Sequence, residues 1–128
     1  MNEPLTLTIF GTPRSKKNSM QIIRLGNSHR LVQSKAYREY EKDAVAQIQA
    51  AGKAWHIDDL CNVQCIFYRP TRIRVDLSNL ISAVDDVLVK AGVIEDDDFK
   101  HIGGHDGSRI RFDKENPRTE IKITRLKQ

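Results

Sequence analysis

The order of elements predicts an α+β domain of the mixed α/β kind: a single mixed sheet of about five to six strands with two main helices. Three observations lead there. Several short stretches alternate apolar and polar residues at period two, as half-buried strands do. Two longer stretches carry apolar residues at helical spacing. Their interleaving, β–ββ–α–β–α–β–β, puts helices on a sheet around one core. The chain has 128 residues. That fits one domain over 1–128, long enough to bury a core without disulfide or metal staples.

"LTLTIFG" alternates apolar residues with Thr and predicts a strand ending at Gly11. "TPRSKKNSM" has loop composition. "QIIRL" and "HRLVQ" flank "GNS", whose Gly26–Asn27 signal predicts a hairpin. Ser34 is placed to cap a first helix, with Tyr37, Tyr40 or Glu41, Ala44, Ile48 and Ala51 at helical spacing and Gly52 ending it. "LCNVQCIFYR" predicts a long strand stopped by Pro70. Its Cys61 and Cys65 stand an even number apart, so both face one side, as core residues of a reduced, cytoplasmic chain.

"LSNLISAVDDVLVKAG" is the clearest helix. Leu77, Leu80, Val84, Val87, Leu88 and Ala91 form one apolar stripe, with Asp76 at the N-cap and Gly92 just past the end. "HIGGHDGSRIRFDKENP" predicts a strand, a turn and another strand, and "TEIKITRL" alternates as the last one. No stretch approaches the 18 apolar residues a membrane span needs, and the N-terminus lacks the basic n-region of a signal peptide.

The net charge is +4, but its distribution says more. Basic residues gather at 14–17, 24–38, 69–74 and 109–127, and acids at 85–98. A basic frame around an acidic pocket suits a polyanion held beside bound cations. At 100° per residue, Asn79, Ser82, Ala83, Asp86 and Lys90 lie opposite or nearly opposite the apolar stripe. Asp76 stands just before the first turn, near Asn79. Past Gly92, "EDDD" returns, anchored by Val93 and Ile94. If the return runs beside the helix, Asp97 or Asp96 approaches Asp76. Carboxylates converging in this way bind Mg²⁺, which activates water and stabilises charge on a phosphodiester. The same residues also fit a plainer picture: Asp76 as a cap, Asp85 and Asp86 as a solvated helix face, and 95–98 as a solvated loop.

"RPTRIRVD" sets Arg69, Arg72 and Arg74 just before Asp76, and the guanidinium fork matches two phosphate oxygens. "PRSKKNS" supplies Arg14, Lys16, Lys17 and Asn18 on a loop, suited to DNA backbone contacts. The acids do not have the spacing of a Ca²⁺ loop. His101 and His105, separated by two glycines, make a poor zinc pair. Glu120-x-Lys122 is the tail of a nuclease pattern that is common by chance. Trp55 fits either packing over a loop or stacking on a base.

"VDLSNLISAVDDVLVKAGVIEDDDF" resembles the RusA family of Holliday-junction resolvases. That family carries Asp-Leu-Asp-Asn-Leu, a helix with Asp–Ala/Val–Leu near its end, then Gly-hydrophobic-x-x-Asp-Asp. "GTPRSKKNS" and "SKAYREYE" look like its phage-type members. The likeness covers most of the chain, with its core at about 69–102. It implies a RusA-like fold and a homodimeric endonuclease, bacterial or phage-encoded. Such an enzyme cuts four-way junction DNA with Mg²⁺, for which Mn²⁺ can substitute, in recombination and repair. By position it implies Asp76, Asp97 and Asn79 as catalytic residues and Asp76, Asp97, Asp96 and Asp86 as the metal set. Two positions depart from the pattern: Ser78 stands for an aspartate and Ser82 for a lysine. A carboxylate and a cation are therefore missing, and a junction-binding protein of weak or no activity is the alternative.

Overall fold

The computed structural model describes residues 3–16, 20–26, 28–51 and 55–126. Seven strands and two helices run in the order β1 (Leu5–Phe10), β2 (Met20–Leu25), β3 (Ser28–Gln33), α1 (Lys35–Ala50), β4 (Cys61–Arg69), α2 (Leu77–Lys90), β5 (Ile102–Gly104), β6 (Arg109–Phe112) and β7 (Arg118–Arg125). The α+β class is as expected. The main sheet has five strands and is mixed, while β2 and β3 form a separate antiparallel ladder. The Asn27 turn, Gly52, Lys17 and Asn18 lie outside the described residues.

β4 is the spine of the sheet. It pairs antiparallel with β7, which pairs antiparallel with β1. Its other edge is shared in sequence: β5 runs parallel to its start and β6 parallel to its end. The gap between them is closed by side chains. Asn62 brackets Asp106, donating to its carbonyl at 3.2 Å and accepting from its N–H at 2.8 Å. Ser108 Oγ accepts from Cys65 N–H at 2.9 Å.

One face of the sheet is apolar. Leu5, Leu7 and Ile9 of β1, Cys61, Val63, Cys65 and Phe67 of β4, and Ile121 and Ile123 of β7 pack in one cluster with Ala44 and Ile48 of α1 and Leu80, Val84, Val87 and Leu88 of α2. Both cysteines are buried free thiols, as their spacing predicts, and burial pushes Cys61 up to about 11. Trp55 packs, partly buried, against this core. Gln47 clips α1 to β1, accepting from Phe10 N–H at 2.8 Å and donating to Phe10 O at 2.9 Å. The Lys90–Glu41 ion pair ties α2 to α1.

Two helix caps set the chain path. Ser34 caps α1 as expected, accepting from Tyr37 N–H. α2 ends in a Schellman motif, with Gly92 N–H donating to Val89 O at 3.0 Å and Val93 N–H to Leu88 O at 2.9 Å. Gly92 has φ +80°, a left-handed conformation that a side chain would strain. This reversal turns the acidic segment back toward the helix. Val93 and Ile94 are buried as expected, and the Ile57–Ile94 bridge fixes the returning strand.

Two expectations about α2 need correction. Ala83, placed opposite the apolar stripe, is only 1% exposed, because it stands three residues after Leu80 and four before Val87. Asp85, placed on a solvated face, is buried between Ile81, Val84 and Leu88 in helical register.

Candidate functional site

Asp76 has the extended backbone of an N-cap, and its carbonyl accepts from Leu80 N–H at 3.2 Å. Its side chain makes no capping hydrogen bond. The carboxylate instead accepts from Asn79 Nδ2 at 3.3 Å and lies exposed at the positive end of the helix. Asp76 is thus the N-cap residue, as expected, with its carboxylate left exposed.

The returning segment gathers acids beside the other half of α2. Asp97 N–H donates to Asp96 Oδ1 at 2.8 Å. Lost hydration pushes the Asp97 carboxyl above the ordinary range, followed by the charge of Asp86, the hydrogen bond and charge of Asp96, and the charge of Asp85. Asp97, Asp96, Asp86 and Asp85 thus share one electrostatic neighbourhood. Asp76 and Asp86 are ten residues apart on one helix, about 15 Å at 1.5 Å per residue. They cannot both ligate one ion, so Asp97 on the return is the member that decides which end of the helix a metal uses. Among the described residues no three His, Cys, Asp or Glu side chains already converge in ligating geometry.

The acids are partly neutralised in ways the sequence did not announce. Lys16 reaches from the N-terminal loop to pair with Asp86. Its neighbour Ser15 is buried, which anchors the loop beside α2. Asp85 accepts from His105 Nε2 with both oxygens, at 3.0 and 2.9 Å. Asp98 is taken up by His101, which bridges to Asp58 as well. That contact holds Asp98 below the ordinary range and raises His101. The two histidines serve different carboxylates, His101 pairing with Asp98 and Asp58 and His105 with Asp85. Glu120 accepts from Arg118 at 3.0 Å and alternates with the core-facing residues of β7, so it sits with Lys122 on the face away from the helices.

The position of Lys16 has a measurable consequence. Its ammonium competes with any divalent ion for the field of these acids. Lys16→Met is expected to tighten Mn²⁺ binding by roughly fivefold, the equivalent of about 1 kcal/mol for a partly exposed pair. Calorimetric titration without DNA checks this. Unchanged metal affinity with weakened DNA binding would make Lys16 a backbone contact only.

The arginines divide into two kinds. Arg69 is half-buried and braces the turn after β4 by donating from Nη1 to Ile73 O. Arg72, Arg74 and Arg14 are exposed. Arg72 lies 4.6 Å over the Phe112 ring. Ser78 and Ser82 are both exposed on α2.

No curated protein matches the chain. A family model described as Endodeoxyribonuclease RusA matches residues 9–124. The match spans the acids, the basic loop and all of the main sheet but the first residues of β1 and the last of β7. The chain belongs to the RusA family of endodeoxyribonucleases.

Proposed function

We propose that the protein is a Mg²⁺-dependent, structure-selective endonuclease that resolves four-way DNA junctions in recombination and repair, acting as a homodimer in a bacterial cytoplasm. The observation that carries this reading is the crowding of Asp97 by other carboxylates, in a member of an endodeoxyribonuclease family. Crowded carboxylates that stay above their ordinary range are relieved by a hard divalent cation with oxygen ligands. The donor set therefore fits Mg²⁺, and Mn²⁺ as its substitute.

Asp97 and Asp96 would hold the ion, and Asp76, which the family pattern places in the same set although its charge is not among those acting on Asp97, would join them from the N-terminal end of α2. Asp86 keeps Lys16 beside it, and Asn79 orients the Asp76 carboxylate. A bound Mg²⁺ supplies charge to the phosphate oxygens and lowers the pKa of water. Arg72, Arg74 and Arg14 offer exposed guanidinium groups to the strands. A two-fold dimer presents two such sites to a substrate of matching symmetry. Among the described residues no helix is long and apolar enough to cross a membrane.

The test is cleavage of a synthetic four-way junction against a linear duplex of the same sequence, with Mg²⁺ or Mn²⁺. Symmetric nicking of the junction alone supports the proposal, whereas tight, salt-sensitive binding without cutting overturns it. That second outcome is the alternative reading, a junction-binding protein, favoured by the exposed neutral side chains of Ser78 and Ser82. On either reading, Ser78→Asp is expected to tighten Mn²⁺ binding, by on the order of tenfold for one added hydrogen-bonded charge. No gain would show that position 78 does not face the ion.

A further inference from the structure

The turn after β4 and the edge strand β6 enclose a groove of ≈ 520 Å³. Its walls carry Arg69, Arg72, Arg74 and Arg111, and among the described residues no carboxylate lines it. Its apolar lining is unusual for an exposed surface. Ile73 is 70% exposed, Phe112 46% and Ile110 38%, three of the large hydrophobic side chains this protein leaves in water. The groove ends at Val75, one residue before Asp76.

We propose that this groove holds an unpaired DNA strand at the branch point, with one unstacked base on the Phe112 ring. The inference rests on the nuclease reading and adds a specificity site to it. Four arginines line the groove, and the three exposed ones, Arg72, Arg74 and Arg111, complement a phosphate backbone. Phosphates alone give no reason to expose Ile73, Ile110 and Phe112. A duplex shows the groove its backbone and base edges, and an aromatic floor gains little from either. An unpaired strand shows base faces, which stack on aromatic rings whatever their sequence.

The Phe112 ring already holds a planar group, since the Arg72 guanidinium covers it at 4.6 Å. On binding, Arg72 moves to a phosphate and the base takes its place on the ring. The neighbouring surface is braced for this. Arg118 stacks on the Tyr68 ring at 3.8 Å and is held by Asp113 at 2.9 Å and Glu120 at 3.0 Å. The backbone of Asp113 is tied to β4 through Arg69 O at 2.8 Å. A strand seated in this groove runs directly to Asp76, so stacking here would register the backbone at the cutting site.

The experiment uses the full chain and two fluorescent probes in Ca²⁺ buffer: a 20-nucleotide single strand carrying 2-aminopurine, and a linear duplex. Wild type is expected to bind the single strand and change the 2-aminopurine emission. Phe112→Ala lowers single-strand affinity by on the order of tenfold. Phe112→Trp retains it, and neither substitution changes duplex affinity. Because Phe112 is half exposed, both variants are expected to fold, which circular dichroism confirms. Equal losses on both DNAs, or no loss for Phe112→Ala, overturn the proposal. Wild type that binds duplex but no single strand overturns it while the nuclease reading stands. Wild type that binds neither DNA at low salt overturns both.

Discussion

Replacing Asp97 by asparagine is expected to stop junction cleavage and yet raise the melting temperature of the metal-free protein. The two effects have one cause. Asp97 is held above the ordinary carboxylate range by lost hydration and by Asp86, Asp96 and Asp85, so its charged form is disfavoured in the fold. A group whose folded pKa is raised binds more protons when folded. Its penalty is absent at low pH and grows as pH rises through its range. Asp97→Asn removes that penalty at neutral pH, and the gain fades as pH falls below about 4, the ordinary carboxylate value.

The carboxyl is well exposed, and solvent screening keeps the repulsion to roughly 0.5 kcal/mol, or about 2 °C in melting temperature. Cleavage is expected to fall by a hundredfold or more, on the order of losing one electrostatic element of an active site. Asp76→Asn should lose cleavage equally but lower the melting temperature slightly rather than raise it, since it removes a negative charge that the positive end of α2 favours. Scanning calorimetry at pH 4 and pH 7.5, with a gel assay on the junction, separates these outcomes. Two variants that still cut at the wild-type rate would remove both aspartates from the mechanism.

His105→Ala is expected to destabilise the protein by about 2 kcal/mol, although His105 itself is partly exposed. The cost arises at Asp85, which is buried on the core-facing side of α2 and receives both of its side-chain hydrogen bonds from His105. Removing one partner leaves a carboxylate desolvated and unpaired, a far larger loss than the pair's own net contribution. The double substitution Asp85→Leu/His105→Leu should recover most of the loss, because two apolar groups need no partner. Urea unfolding of the single and double variants completes the cycle. A loss below about 0.5 kcal/mol for His105→Ala would mean that water reaches Asp85 after all. The pair lies next to the acids of the site, and the charge of Asp85 is among those that act on Asp97. The stability of α2 and the charge state of Asp97 are thus coupled through one helix.

Asp85 stands four residues after Ile81 and three before Leu88, squarely in apolar register. A charge in that register implies burial with a partner. The partner, His105, is twenty residues further on, across the return and β5, and nothing local points to it. Ala83 adds little hydrophobic weight with its small side chain, yet its spacing from Leu80 and Val87 places it on the buried face. The three loop basics, Arg14, Lys16 and Lys17, are equivalent in composition. Yet Lys16 turns inward to Asp86, seventy residues away, while Arg14 stays exposed. Arg69, read as a phosphate contact, spends a donor on its own turn.

The sequence by itself determined the elements, the family and the identity of the acids. Periodicity, caps and glycines act within a few residues, so β4, the Ser34 cap and the Gly92 reversal were legible in order. The spacing of Asp76, Asn79, Asp86, Asp96 and Asp97 along one helix and its return was legible for the same reason. Only the tertiary structure decided which charges meet. It left the Asp76 carboxylate uncapped, gave Asp85 to His105 and Asp98 to His101, brought Lys16 to Asp86, and set Arg72 over Phe112. Each of these contacts except the first and the Asp98–His101 pair, which spans three residues, joins groups from separate segments. Their energies depend on separation and burial, and both exist only once the sheet and helices have packed.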